Sequence, residues 1–142
     1  MEMTQTDHHV LAGLGIMTVA LIVMALMFVP TIFYLLTLQK ALNRCSPESR
    51  AMNPAMVWLM LIPLFNIVWH FIIVLNMAKS LGAEFQKRGI AEDPQPGQTL
   101  GLVMCIGNLI CGPIGFVCWI LYWVKIAGYS GKLAAAPVPV VT

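Results

Sequence analysis

The chain has 142 residues, 59% of them hydrophobic and only 10% charged, with eight Lys/Arg against six Asp/Glu for a net charge of +2. Soluble domains carry about 25% charged residues, so this composition excludes an ordinary water-soluble globular class. So small a net charge also argues against nucleic acid as a partner.

The first nine residues are polar and hold Glu2 and Asp7 but no Lys or Arg. A secretory signal begins with a basic segment, so the apolar run that follows reads as a retained span. Three stretches lack any Asp, Glu, Lys or Arg: Val10 to Gln39, Ala51 to Ala78 and Leu100 to Val124. A hydrocarbon core about 30 Å thick needs about 20 apolar helical residues. The expected class is therefore an all-α membrane protein. Three transmembrane helices, about 10–38, 54–79 and 99–125, would form one membrane domain over residues 10–133. A flexible tail over 134–142, with Pro137 and Pro139, would follow it.

Each span holds a proline, Pro30, Pro63 or Pro113. Proline inside a helix removes one backbone bond and bends the axis, so three kinks are expected, the one at Pro63 leaving the Leu59 carbonyl without its donor. Helix should also extend beyond the bilayer. The first span carries on through Arg44 to Ser46-Pro47, where the residue before proline disfavours helix. Asn53 is a suitable N-cap and Pro54 a suitable first helical residue. The second span overruns through Arg88 to Gly89. Asp93-Pro94-Gln95-Pro96-Gly97 reads as a loop, and Thr99 as the cap of the third span.

Alternating spans put Lys40, Arg44, Arg50, Lys125 and Lys132 on one side of the membrane, and Lys79, Lys87 and Arg88 on the other. The positive-inside rule then places the N-terminus outside and the C-terminus in the cytoplasm. Phe33, Tyr34, Trp58, Trp119, Tyr122 and Trp123 fall toward the first of these sides. With Lys40, Arg44, Arg50 and Lys125 they make an aromatic and basic collar at the membrane interface, suited to anchoring and to bound lipids. Cys45 is expected to be an exposed free thiol beside it.

Pro63, Asn66 and His70 follow at i, i+3 and i+7, one stripe of a helix. Polar groups are costly in hydrocarbon, so the stripe should face protein, with Asn66 and His70 hydrogen-bonding each other or Asn108. Gly107, Cys111 and Gly115 form a small-residue ridge at i, i+4 and i+8, which suits close approach of helices. These seven residues are the expected helix-packing set. His70 is also the one candidate for an axial cofactor ligand, although a lone histidine is a weak signal. His8-His9 and the four cysteines show no metal-ligand spacing, and no catalytic motif occurs. The sequence expectation is thus a non-enzyme with no metal and no predicted cofactor, and with lipids as ligands.

Leu42-Asn43-Arg44-Cys45-Ser46-Pro47-Glu48-Ser49-Arg50, then Met52, Pro54 and Trp58, then Leu61 through Trp69, and finally Tyr122 through Ser130 form distinctive motifs. Across roughly residues 34 to 133 they resemble a family of small bacterial multi-spanning membrane proteins, a domain of unknown function. The resemblance implies a bacterial inner-membrane protein and no particular activity. The expected function is an accessory or scaffold subunit that assembles with other membrane proteins or with copies of itself. A lipid-binding or small-molecule-binding protein, with a pocket lined by Asn66, His70 and Asn108, is the alternative. A cofactor-binding bioenergetic subunit using His70 is the weaker one.

Overall fold

The computed structural model describes residues 5–136, except the side chain of Pro63, so the expectations for residues 1–4, for the tail beyond Ala136 and for Pro63's packing lie outside the described positions. The described chain is helical, in the order α1 (Gln5–Arg44), η1 (Pro47–Ser49), η2 (Pro54–Leu61), α2 (Pro63–Lys87), α3 (Gln98–Ile110) and α4 (Gly112–Ala135). Three helices, α1, α2 from Leu64 and α4, are long and apolar enough to cross a membrane. The chain divides into two compact units between Tyr34 and Leu35.

The first unit is helix from Gln5 onward, so residues 5–9 are a helical turn rather than a loose polar end. Its apolar side chains from Val10 to Val29 are exposed, Ile16 at 70%. Pro30 lies inside the continuous α1.

The second unit departs from the expected layout. Residues 54–79 are not one helix, and neither are 99–125. The chain reverses at Ile62, whose φ of −80° and ψ of 112° are extended, and again at Cys111, with φ −146° and ψ 96°. The prolines explain where. Pro63 has no N–H with which to continue the ladder of η2, and it biases the preceding Ile62 away from helix. Pro63 and Pro113 therefore sit in the first turns of α2 and α4 as helix starters, not as kinks within a span. The Leu59 carbonyl is not orphaned, because the Ile62 N–H donates to it at 3.2 Å. Asn53 caps η2 as expected, its side-chain oxygen accepting from the Ala55 N–H. Gly97, with φ +78°, and not Thr99, precedes α3, a conformation that glycine adopts at little cost.

Both reversals make antiparallel hairpins. In the first, the Trp69 indole donates to the Met56 carbonyl at 2.9 Å, and the Ala51 N–H donates to Ser80 Oγ at 2.9 Å. In the second, Gly107 and Asn108 meet Gly115 near the tip, Gly101 meets Tyr122, and Gly97 lies against Tyr122, Ile126 and Tyr129. Gly101 also abuts Val74, so α3 packs between α2 and α4. The apolar core lies at the end away from the tips. Leu35, Leu38 and Leu42 from the last turns of α1, Met77, Leu81 and Phe85 from α2, and Ile126 from α4 are fully or nearly fully buried there. The tips are bare: Leu64 is 91% and Ile110 80% exposed.

A polar knot closes the core end. Glu84 and Arg88, four residues apart on α2, pair with side-chain exposures of 0% and 5%. Glu84 accepts from the Ser46 N–H and hydroxyl at 2.9 and 3.0 Å. Arg88 donates to the carbonyls of Arg44, Leu133 and Ala136 at 2.6–2.8 Å. It thus caps the C-termini of α1 and α4, where unpaired carbonyls gather negative partial charge. Arg44 in turn donates to Ser130 Oγ at 2.8 Å. Two surface ion pairs, Lys87–Glu48 and Lys132–Glu92, tie the same segments.

These bonds correct the expected sidedness. The end of α2 and its connection to α3 (loop 2) cannot lie across a bilayer from the connection between α1 and η2 (loop 1) and the C-terminal end, because they bond to both. Cys45 is corrected as well: it is 2% exposed, with its thiol directed at the Ala41 carbonyl, rather than exposed.

Candidate functional site

The sequence-predicted polar residues meet in a cavity of about 260 Å³ between α2 and α3. Asn66, Ile67, His70 and Phe71 line it from α2, spaced so that Asn66 and His70 share a face one turn apart. Cys105, Asn108 and Leu109 line it from α3, where the i, i+3, i+4 spacing again selects one face. Asn108 is held in place by Gly115, since a Cβ there would overlap its backbone N, its Cα and its Oδ1. Cys105 is buried at the floor, while Ile67 and Leu109 are exposed at the rim. No Asp, Glu, Lys or Arg lines the cavity.

Asn66 Oδ1 is buried and accepts no hydrogen bond. The expected bond from His70 or Asn108 to this oxygen is therefore not formed, although the three residues do come together as the stripe implied. A buried amide oxygen left unmatched costs about 1–3 kcal/mol.

The small-residue ridge is used within the chain. A Cβ on Gly107 would lie 3.3 Å from the Cα of Gly115, so the two glycines face each other across the hairpin. Cys111 forms the extended link between them and is not part of a helix face.

The collar is partly assembled. The Trp119 and Trp123 rings lie 5.4 Å apart with their planes tilted by 43°, and Phe116 lies 5.7 Å from Trp119. The Trp123 indole donates to Thr37 Oγ1 and the Trp58 indole to Gln39, at 2.9 and 3.0 Å. Tyr122 is buried inside the protein, 1% exposed, in the seat that Gly97 and Gly101 leave. Arg44 and Arg50 are committed to bonds inside the protein, Arg50 donating to the Cys45 and Asn43 carbonyls. Lys40 stays exposed, and Lys125 sits 5.9 Å over the Tyr129 ring.

The residues that sequence reasoning missed are Glu84, Arg88, Ser46 and Ser130. The available signal was Glu84 and Arg88 at i, i+4, on the same helical side as Leu81 and Phe85. Comparison with protein-family models, with curated proteins and with solved structures gives no match for this chain.

Proposed function

We propose that the protein is a non-catalytic accessory subunit of a membrane, held by one crossing helix and by two hairpins that enter from a single side. The observation that carries this is the polar knot joining loop 1, loop 2 and the end of α4. It gathers all eight Lys/Arg at one end of the second unit. Lys40 and Arg44 end α1, Arg50 and Lys79 flank the Ala51–Ser80 bond, Lys87 and Arg88 end α2, and Lys125 and Lys132 bracket Tyr129.

Helix lengths support the same arrangement. From Gly112 to Lys125 is about 20 Å, and from Pro63 to Lys79 about 24 Å, at about 1.5 Å per residue. Both are shorter than a hydrocarbon core of about 30 Å, so hairpins anchored at their charged ends stop inside it. Backbone at a tip within the bilayer is tolerated when its groups are bonded. Here the Cys111 N–H donates to the Gly107 carbonyl, and the Gly115 N–H to the Cys111 carbonyl. An eight-to-none charge asymmetry across the two ends of this unit supports a cytoplasmic face for the knot, in the bacterial inner membrane that the sequence resemblance implies. The exposed apolar flank of α1 supplies a surface for lipid or for another membrane subunit.

Single cysteines at Asn43, Gln86 and Ala127, all exposed positions, test the arrangement. An impermeant thiol reagent should reach all three from the cytoplasmic face of inverted vesicles and none from intact cells. Labelling of Gln86→Cys from the opposite face to Asn43→Cys restores three crossings and refutes it.

A further inference from the structure

We infer that the last turns of α1 hold the headgroup of an anionic phospholipid of the phosphatidylglycerol type, its phosphodiester against Lys40 and Arg44 and an acyl chain against Leu36. The inference rests on the membrane reading above and names the lipid that one face of the second unit takes.

Leu36, Gln39, Lys40, Asn43 and Arg44 line a shallow hollow of about 360 Å³. They follow at i, i+3, i+4, i+7 and i+8, so a single stripe of α1 builds it. The stripe is rich in donors. Trp58 on η2 donates its indole N–H to Gln39 Oε1 at 3.0 Å. An indole nitrogen can only donate, so this bond fixes the amide and leaves the Gln39 NH2 to give. Arg44 is held by Ser130 Oγ at 2.8 Å, which makes its guanidinium a fixed charge. Lys40 is exposed. Glu48, Glu84 and Glu92 are each paired with another cation, and among the described residues no carboxylate pairs with Lys40 or Arg44. Two cations and an amide donor without an acid suit a phosphodiester, whereas a headgroup with its own ammonium would meet like charge.

Depth selects a lipid over a soluble phosphate. Leu36 is 44% exposed, and Lys40 lies one turn further on, about 6 Å along the axis. Headgroups occupy about 5–8 Å on each side of the hydrocarbon. A ligand that fills the hollow must pair an apolar tail with a phosphate over that distance, as a phospholipid does.

The test uses the full chain in phosphatidylcholine liposomes, with flotation first showing that the protein is inserted. Failure to float refutes the membrane reading itself. For floated protein, a phosphatidylglycerol carrying a diazirine close to its acyl ester is photolysed and the adducts are mapped. The proposal expects adducts at residues 36–43, removed by unlabelled phosphatidylglycerol but not by soluble glycerol phosphate. The matching phosphatidylcholine probe should label these residues at least about fivefold less, the contribution of one lysine at an anionic surface. Lys40→Gln should cut phosphatidylglycerol labelling there by a similar factor. Lys79→Gln, which removes another exposed lysine from the same end of the unit, should leave it unchanged. Equal labelling by the two lipids, or adducts spread evenly over exposed apolar positions such as Val124, overturns the proposal. Full competition by glycerol phosphate overturns it in favour of a free-phosphate site, and equal losses in Lys40→Gln and Lys79→Gln overturn it in favour of diffuse surface charge. The lipid comparison and the competition are made on the unaltered chain, so they decide the matter whatever the variants do to folding.

Discussion

Replacing Arg88 with methionine keeps much of the side chain's length and removes its guanidinium. The structure sets the cost. Arg88 donates to three helix-end carbonyls, those of Arg44, Leu133 and Ala136, and pairs with Glu84. With side-chain exposures of 5% and 0%, the pair is little screened by solvent. Taking one partner from a buried ion pair costs about 3–5 kcal/mol, chiefly because a carboxylate is left without its counter-charge. Ser46 still donates twice to Glu84, which sets the expectation at the lower half of that range. At about 4 °C per kcal/mol for a unit of this size, Arg88→Met should lower the melting temperature by about 12–16 °C. Intrinsic tryptophan fluorescence on protein in mild detergent would read the shift. The double variant Glu84→Leu with Arg88→Met should recover part of the loss, since no charge is then stranded. A single-variant shift below about 3 °C, or a double variant no better than Arg88→Met, would refute the view that this pair holds the three chain ends together.

Burial, with the Glu84 carboxylate nearby, pushes the Cys45 thiol up to about 12, so it stays protonated through pH 9 and should resist maleimide in native protein, yet react once denaturant exposes it. Rapid labelling of Cys45 in wild type at pH 8 would contradict its buried position. Gly115→Ala forces a methyl against the backbone N and Cα of Asn108, which cannot swing away as a side-chain tip would, and should cost at least about 1–3 kcal/mol. The ridge is internal, so folded yield on size-exclusion chromatography should fall while the oligomeric state of the surviving fraction stays that of wild type; a change of oligomer with full yield would show the ridge facing another molecule.

Hydrophobic runs made the helices legible, and Asn53-Pro54 announced the start of η2 correctly. The fold of the second unit was not legible from those runs, for a physical reason. An uncharged stretch of 25–28 residues satisfies the bilayer whether it crosses once or folds back on itself, so composition cannot distinguish the two. The discriminating residues are few: Ile62-Pro63, and Cys111-Gly112-Pro113, where proline ends one ladder and starts the next. Reading these as kinks separates loop 2 from loop 1 and the end of α4, to which it is bonded, and splits the basic residues between two faces. The cavity was visible in outline, since Asn66 and His70 share a stripe and Asn108 was the polar group available to them. What could not be read was that Asn66 would stay unmatched. Hydrogen-bond capacity is written in a residue type, whereas its satisfaction depends on the packing of α3 against α2.

Arg44 and Ser130 are 86 residues apart in the chain, and the bond between them bears on biogenesis. At about 5–20 residues per second, roughly 4–17 s pass between synthesis of the guanidinium and synthesis of its partner. The carbonyls of Leu133 and Ala136 that Arg88 meets come later still. In the arrangement proposed above, the two arginines would stay hydrated at the membrane surface through that interval. Locking is deferred until the final turn of α4 leaves the ribosome. Synthesis of the last turn of α4, rather than of any earlier helix, is then the event that lets these bonds close.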